Sequence, residues 1–328
     1  MPPEHEALLI FTRQQFPHLE TVPCEVHAIV KGGSDRRFFR LQWQAPHPDM
    51  VLMVYTLARA DNAKFVPATH RLAKHGVNVP ELLAHDEERL CVWMEDLGSD
   101  DLHSQHEQPW HIRRQAYFWT LDQAARVHAM TEDTLSRGDL LTLEPPFDEA
   151  LYLWEQNYFL DHYVIGHRGL NPQLEIYAEA HEALKKLRRS LEKVPRCLVH
   201  RDFQSQNILL RDGAAWLVDY QGLRLGIAEY DIASLLLDPY VKLSQDERDE
   251  LLEYYAQITR RSVIEIERLY YRCAAQRLMQ ALGAYGNLSR NQGKPHFLQH
   301  IPAAEHNLRL VLLRDPSLSP IAMFLPGR

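Results

Sequence analysis

From position 200 to 207 the chain reads His200-Arg201-Asp202-Phe203-Gln204-Ser205-Gln206-Asn207, and a later apolar run ends in Asp219, followed by Tyr220 and Gln221. The pattern H-R-D-x-x-x-x-N sets a carboxylate and an amide on one short loop. These residue types suit phosphoryl transfer from a nucleoside triphosphate. An acceptor hydroxyl needs a carboxylate beside it to orient it and take its proton, and Asp202 fits that role. The triphosphate travels with Mg²⁺, a hard cation that takes oxygen ligands. Asn207 on the loop and Asp219 on the returning strand supply such oxygens. The alternative is a plain surface turn, with Asp202 as a cap and Asn207 in a tight bend. That leaves the offset of Asn207 and the second aspartate unexplained.

Two further segments fit the same chemistry. Lys31-Gly32-Gly33-Ser34-Asp35-Arg36-Arg37-Phe38-Phe39-Arg40 lies between two predicted strands. Glycines let backbone N–H groups approach phosphate, and Ser34 and Asp35 belong to the same turn. Arg36, Arg37 or Arg40 can pair with phosphate oxygens. Side chains alternate along a strand, so only one of Arg36 and Arg37 points into a cleft; Arg37 is the first expectation. Taken alone, this segment reads equally as a Gly-Gly hairpin with exposed arginines. Trp93-Met94-Glu95-Asp96-Leu97-Gly98 follows a strand, and backbone groups at Glu95 and Leu97 can read an adenine edge. Gln204, Gln221 and Arg224 lie just beyond the catalytic and metal aspartates, where an acceptor must sit for in-line attack. Arg224 reads either as a cation for an acidic acceptor or as a solvated loop residue.

The elements that must position these residues fall into two groups. Val26–Val30, Phe38–Trp43 and Val51–Leu57 are β-rich runs whose spacing suits an antiparallel meander. A helix over Asn62–His75 ends at Gly76 as a cap, and strands follow at Val79–Ala84 and Leu90–Glu95. Beyond Gly98 the apolar period is helical, as in Trp110–Met130, Leu151–Tyr163 and Leu174–Leu191. It breaks only at Cys197–Tyr220, where Ile208–Leu210 and Ala215–Val218 flank Arg211-Asp212-Gly213, a hairpin turn. The fold expected is α+β and two-lobed. A small antiparallel β lobe at residues 1–97 binds nucleotide, and a larger α-helical lobe at 98–328 carries catalysis and the acceptor. Clefts between such lobes are preferred ligand sites.

The 328 residues are 45% hydrophobic and 24% charged, which excludes wholesale disorder and fibrous repeats. Lys and Arg number 36 against 44 Asp and Glu, a net charge of −8. A nucleic-acid partner normally requires a basic stripe, and none is present. The cysteines, Cys24, Cys91, Cys197 and Cys273, are too scattered for a metal knuckle or disulfide framework. No apolar run has the length of a membrane span, and no signal core opens the chain. The expectation is a cytoplasmic protein with no membrane partner.

Val199–Tyr220, with Tyr230-Asp231-Ile232-Ala233-Ser234-Leu235-Leu236 after it, resembles the aminoglycoside phosphotransferase and choline kinase group. That resemblance implies a protein-kinase-like fold, phosphorylation of small-molecule hydroxyls with ATP and Mg²⁺, and a structural Asp231 that braces the catalytic loop. Within the group the chain is most similar to the anomeric sugar kinases acting on N-acetylmuramate and N-acetylglucosamine. The similarity lies in Gly-Gly-Ser-x-Arg-Arg-Phe-Phe-Arg (32–40), Asp219-Tyr220-Gln221-Gly222, the continuation Leu237-Asp238-Pro239-Tyr240, Gln276–Tyr285 and Gly293-Lys294-Pro295-His296. It implies a sugar 1-phosphate product and a role in recycling cell-wall sugars. One departure from kinases at large is Met50-Val51-Leu52-Met53-Val54-Tyr55, which lacks the lysine that normally reaches the α- and β-phosphates. The sugar-kinase branch lacks it too. The alternatives are an aminoglycoside or amino-alcohol kinase, which would want an acidic acceptor pocket, and a nucleotide-binding pseudokinase without turnover.

Overall fold

The computed structural model describes residues 2–29 and 35–327. Gly32, Gly33 and Ser34, expected to cradle phosphate, lie outside the described residues.

Helix α1 (Pro3–Gln15) precedes strands β1 (Cys24–Ile29), β2 (Arg37–Trp43) and β3 (Met50–Val54). Helix α2 (Phe65–Lys74) and strands β4 (Leu82–Asp86) and β5 (Cys91–Glu95) complete the first lobe. The strands form one antiparallel five-stranded sheet in the order β1-β2-β3-β5-β4. Alternation along β2 explains how the sheet is covered. Phe39, Leu41 and Trp43 join Leu52 and Trp93 under Leu8 and Leu9 of α1. Phe38 faces the other way, with Met53, Val92 and Met94, onto α2 and the helical lobe. Both faces of the sheet are therefore apolar and covered. Trp93 Nε1 donates to Thr12 Oγ1 of α1 at 2.9 Å, so this buried indole leaves no orphan donor. Gly76 closes α2 with φ +71°, the left-handed turn that glycine takes at no steric cost.

The second lobe is mostly helical: α3 (Trp110–His128), α4 (Arg137–Leu141), α5 (Glu149–Phe159), α6 (Ala178–Glu192), α7 (Ala228–Leu236), α8 (Gln245–Thr259), α9 (Val263–Asn291) and α10 (Ile301–Arg314). A π-helical stretch, Leu160–His167, continues α5; helical periodicity over Leu151–Tyr163 does not distinguish it. Two short pairs interrupt the helices. Strand β6 (Cys197–Val199) pairs with β9 (Arg224–Gly226), and β7 (Ile208–Arg211) with β8 (Ala214–Leu217). Asp212 and Gly213 turn the second pair at φ +52° and +73°, the conformation a two-residue hairpin wants. Every residue of α7 is buried. The α9 helix packs against α5, α7 and α10. A side chain at Gly283 of α9 would meet the Tyr158 carbonyl oxygen at 2.8 Å, so the small residue permits the close approach of α5.

Among the described residues no helix is long and apolar enough to cross a membrane, and the four cysteines are free thiols. Burial pushes the Cys197 thiol up to about 12 and the Cys24 thiol up to about 11, so neither has thiolate character at neutral pH.

Candidate active site

The loop after β6 carries His200 to Asn207, and a buried aspartate holds its first turn. Asp231 on α7 accepts from the His200 backbone N–H at 2.7 Å and the Arg201 N–H at 2.8 Å. His128 Nε2 lies 3.1 Å from the same carboxylate, and its Nδ1 meets Tyr255 Oη at 2.7 Å. The bracing role expected for Asp231 is what these contacts describe. Arg201 sits at φ +77°, a left-handed conformation that costs a side-chain-bearing residue about 1–2 kcal/mol. Such conformations persist where the surroundings over-determine them. Asp238 holds the far end of the loop, accepting from Ser205 N at 2.9 Å, Ser205 Oγ at 2.6 Å and Tyr240 N at 3.0 Å. Burial pushes its carboxyl above the usual range.

Loop and returning strand are tied together. Asn207 Nδ2 donates to the Asp202 carbonyl at 2.9 Å, and Val218 N donates to the Asn207 carbonyl at 3.1 Å. His200 Nε2 lies 3.0 Å from the Val218 carbonyl. Asp219 then leaves the strand at φ +63°. Tyr220 behind it stacks on Phe65 of α2 at 5.1 Å, and its hydroxyl meets Thr69 at 2.8 Å. The first lobe's helix thus fixes the residue next to Asp219.

The Asp202 side chain is 40% exposed, with Arg277 Nη2 at 3.6 Å from Oδ1 and Arg201 Nη1 at 4.0 Å from Oδ2. Packing around it pushes its carboxyl up, but Arg201, then Arg277, His200 and Arg224, pull it down and prevail, so it lies below the ordinary carboxylate value. A carboxylate kept ionised can take a hydroxyl proton.

Asp219 and Asn207 carry the oxygens suited to Mg²⁺. Asp219 Oδ1 accepts from Arg36 Nη2 and, at 3.2 Å, from Gln221 Nε2. Among the described residues, Asp219 Oδ2 and the Asn207 side-chain oxygen accept no hydrogen bond. No cluster of three or more His, Cys, Asp or Glu suited to a metal occurs among the described residues. Two hard oxygens on one loop and strand end fit Mg²⁺, which keeps waters and takes its other ligands from substrate phosphates.

Arg36 and Arg37 part as alternation requires, in the sense opposite to the first expectation. Arg36 shares the Phe38 face, is buried, and donates from Nη1 to Gln221 Oε1 at 2.6 Å as well as to Asp219. Arg37 shares the Phe39 face, which α1 covers, and pairs there with Glu4 at the surface. Of the two, Arg36 and not Arg37 is the one that reaches Asp219. Arg40 pairs with Asp96 through two hydrogen bonds of 2.5 and 3.0 Å. Asp35 turns from the cluster, accepting from Thr56 Oγ1 at 2.7 Å and Asn62 Nδ2 at 3.2 Å; the Thr56 bond is the main cause of its lowered carboxyl pKa. Met53 is fully buried in the core, at the strand where kinases at large carry lysine.

At the join of the lobes, Glu95 uses its side chain on Arg211 at 2.7 Å and its N–H on the Glu81 carbonyl at 2.9 Å. Leu97 is buried, and its N–H makes no hydrogen bond among the described residues. Gln204 keeps its side chain free of hydrogen bonds among the described residues, half-exposed beside Asp202. Gln221, expected on the acceptor, is taken into the Arg36–Asp219 group. Arg224 is not a solvated loop residue. It is buried, donates to the Gly222 carbonyl at 3.3 Å, lies over Phe147 at 5.4 Å and faces Glu144 at 4.0 Å. Glu144 also pairs with Lys64 at 2.5 Å. Sequence reasoning missed Arg277 as a site residue; its only signal was membership of the polar-studded helix Gln276–Tyr285.

Residues 25–269 match the family model described as the phosphotransferase enzyme family. The chain is 26% identical over 318 residues to the N-acetylmuramate/N-acetylglucosamine kinase of Pseudomonas aeruginosa, covering 93% of this chain and 89% of that one. Relatives of the same name from Pseudomonas putida, Neisseria meningitidis and Caulobacter vibrioides are 25–26% identical over 76–94% of this chain. A choline/ethanolamine kinase family protein from Mesorhizobium loti superposes with a TM-score of 0.63 at 15% identity, covering 96% of this chain and 98% of that one. The streptomycin–ATP–APH(2″)-IIa ternary complex superposes at 0.61 and 13% identity, over 89% and 95%. These superpositions share the two-lobed fold.

Proposed function

We propose, because the chain belongs to the phosphotransferase enzyme family over residues 25–269, that it is an ATP-dependent sugar kinase. It transfers the terminal phosphoryl group of ATP to the anomeric hydroxyl of N-acetylmuramate and N-acetylglucosamine. The observation that carries phosphoryl transfer is the convergence of Asp202, Asn207 and Asp219 on one loop and strand end, held from behind by Asp231. The acceptor follows from the shared name of four relatives that match both lobes.

Residues 1–97 bind the nucleotide and 98–328 carry catalysis and the acceptor. The backbone at Glu95 and Leu97 meets the adenine, and Gly32, Gly33 and Ser34 are the residues expected to contact the phosphates. Arg36 serves where the strand lysine is missing: it reaches Asp219 from the first lobe, and a guanidinium pairs phosphate oxygens two at a time. Asn207 and Asp219 would hold Mg²⁺, which when bound neutralises charge on the phosphates. Asp202 orients the C1 hydroxyl and accepts its proton while the oxygen–phosphorus bond forms and the bond to the ADP oxygen breaks. An anomeric hydroxyl is more acidic than an ordinary sugar alcohol, so a carboxylate held at low pKa suffices as its base. A cytoplasmic role in recycling cell-wall sugars accords with this activity.

The guanidiniums of Arg201, Arg277 and Arg224 around Asp202 argue against a polycationic aminoglycoside. The test is a phosphorylation screen over N-acetylated amino sugars, aminoglycosides and choline-like alcohols, with the product position read by ³¹P and ¹H NMR. A sugar 1-phosphate is expected. Exclusive 6-phosphate, or activity on aminoglycosides alone, overturns the acceptor assignment; no turnover with any acceptor leaves a nucleotide-binding module.

A further inference from the structure

Among the described residues, Arg277 is the one guanidinium within 4 Å of Asp202 that approaches from outside the catalytic loop. It stands on α9, and two neighbours fix it. Its Nε donates to Ser234 Oγ of α7 at 2.6 Å, and its Nη1 donates to Gln280 Oε1 one turn further along α9. Its Nη2 makes no hydrogen bond among the described residues and lies 3.6 Å from Asp202 Oδ1. That gap is too long for a hydrogen bond. The residue is only 6% exposed, so a planar cation with spare donors is held rigidly at the edge of the reacting centre. Arginine is suited to this because its fork of five donors is preorganised.

The other two guanidiniums are placed differently. Arg201 flanks the opposite oxygen of Asp202 at 4.0 Å and packs against Gly222, in the turn that follows Asp219. It therefore lies beside the turn that follows Asp219. Arg224 is committed to the Gly222 carbonyl, Phe147 and Glu144. An attacking hydroxyl must approach Asp202 from the side away from the nucleotide for in-line transfer, and Arg277 flanks the Asp202 oxygen opposite the one that faces Arg201 and the turn after Asp219.

We propose that Arg277 reads the acceptor, its Nη2 donating to the carbonyl oxygen of the 2-acetamido group beside the attacking C1 hydroxyl. The inference rests on the N-acetyl amino sugar reading above. A hydroxyl oxygen hydrogen-bonded to Asp202 Oδ1 stands about 2.7 Å from it, and the substituent on the neighbouring carbon then falls over the guanidinium. An acetamide offers that cation a neutral acceptor. A free 2-amino group, an ammonium at neutral pH, sets like charges together and is rejected. A 2-hydroxyl oxygen is a weaker acceptor than the amide carbonyl. Selection for the acetylated class thus comes from one buried arginine.

The test compares kcat/KM for N-acetylglucosamine, N-acetylmuramate, glucosamine and glucose in the wild type, Arg277→Met and Arg277→Lys. Losing a hydrogen bond to a charged group corresponds to about 10–100-fold. Arg277→Met is expected to lose that factor on both acetylated sugars over and above any loss shared with glucose, with KM for ATP unchanged, so that the preference for acetyl over hydroxyl collapses. Arg277→Lys is expected to restore part of it. An equal loss on all sugars would assign Arg277 to positioning Asp202, and loss on N-acetylmuramate alone would assign it to the lactyl carboxylate; either overturns the proposal. Should Arg277→Met fail to fold, wild-type binding decides. NMR titration in the presence of a non-hydrolysable ATP analogue is expected to show N-acetylglucosamine binding and glucosamine not, and equal binding overturns the proposal. A wild type that phosphorylates no acetylated sugar removes the kinase reading itself, whereas an active enzyme whose preference survives Arg277→Met removes only this assignment.

Discussion

Replacing Asp231 by alanine strikes the catalytic loop without touching its chemistry. The Asp231 carboxylate is 1% exposed and receives the N–H groups of His200 at 2.7 Å and Arg201 at 2.8 Å. Alanine leaves both donors buried with no acceptor. Each orphan costs about 1–3 kcal/mol, so the loss is about 2–6 kcal/mol, a large share of a native stability of about 5–15 kcal/mol. Asparagine keeps one acceptor oxygen but turns an amide N–H toward one of the two donors, so about half that loss is expected. The same bonds hold Arg201 at φ +77°. Once they are gone the backbone relaxes toward its ordinary region and carries Asp202 with it. Displacement of a reacting group by about 1 Å costs about 100-fold in rate, so kcat of the folded fraction falls at least that far. Urea unfolding followed by tryptophan fluorescence gives the first quantity, and steady-state kinetics well below the transition gives the second. An alanine variant within about 0.5 kcal/mol of wild type, or one destabilised as computed but with unchanged kcat, would refute the claim that Asp231 holds the loop in working shape.

Asp202→Asn should lower kcat by about 10²–10⁴-fold, the range of a general base, with ATP affinity by calorimetry nearly unchanged; near-wild-type turnover would remove the base assignment. Arg36→Ala should raise KM for ATP about tenfold or more, since charge-assisted contacts to phosphate are strong, while Arg37→Ala, which loses only a surface pair with Glu4, should leave it unchanged. The reverse order would return the phosphate contact to Arg37. Burial, then the nearby His103 and His296, hold His300 below the ordinary imidazole pKa. The unfolded chain therefore binds more protons between that ordinary value and the lowered one, and stability is lost as pH falls through this window. His300→Gln should flatten that part of a Tm-against-pH curve, and identical slopes would show that His300 contributes nothing to it.

Much of the chemistry was legible because it depends on local spacing. The loop from His200 to Asn207, the strand ending in Asp219, the turn at Asp212-Gly213 and the cap at Gly76 each need only residues a few positions apart, and their backbone requirements write themselves into residue type. Period-two alternation likewise shows that Arg36 and Arg37 face opposite ways. It does not say which faces the cleft, because the Phe38 and Phe39 faces of the sheet are equally apolar. That choice waits on α1, which covers the Phe39 face and supplies Glu4 to Arg37. The same limit left the reading of Arg224 open and hid Arg277. Both are arginines in apolar surroundings, and their local sequence is consistent with a solvated loop for one and a core helix for the other. Their roles come from Phe147 and Glu144 closing over Arg224, and from Ser234 and Gln280 aiming Arg277 at Asp202. The sequence by itself determined that Asp202, Asn207 and Asp219 share one loop and strand end. Which cation meets which carboxylate was decided only by tertiary closure, because a charge pairs with what the packed chain sets within a few ångströms, and packing joins elements that no local spacing connects.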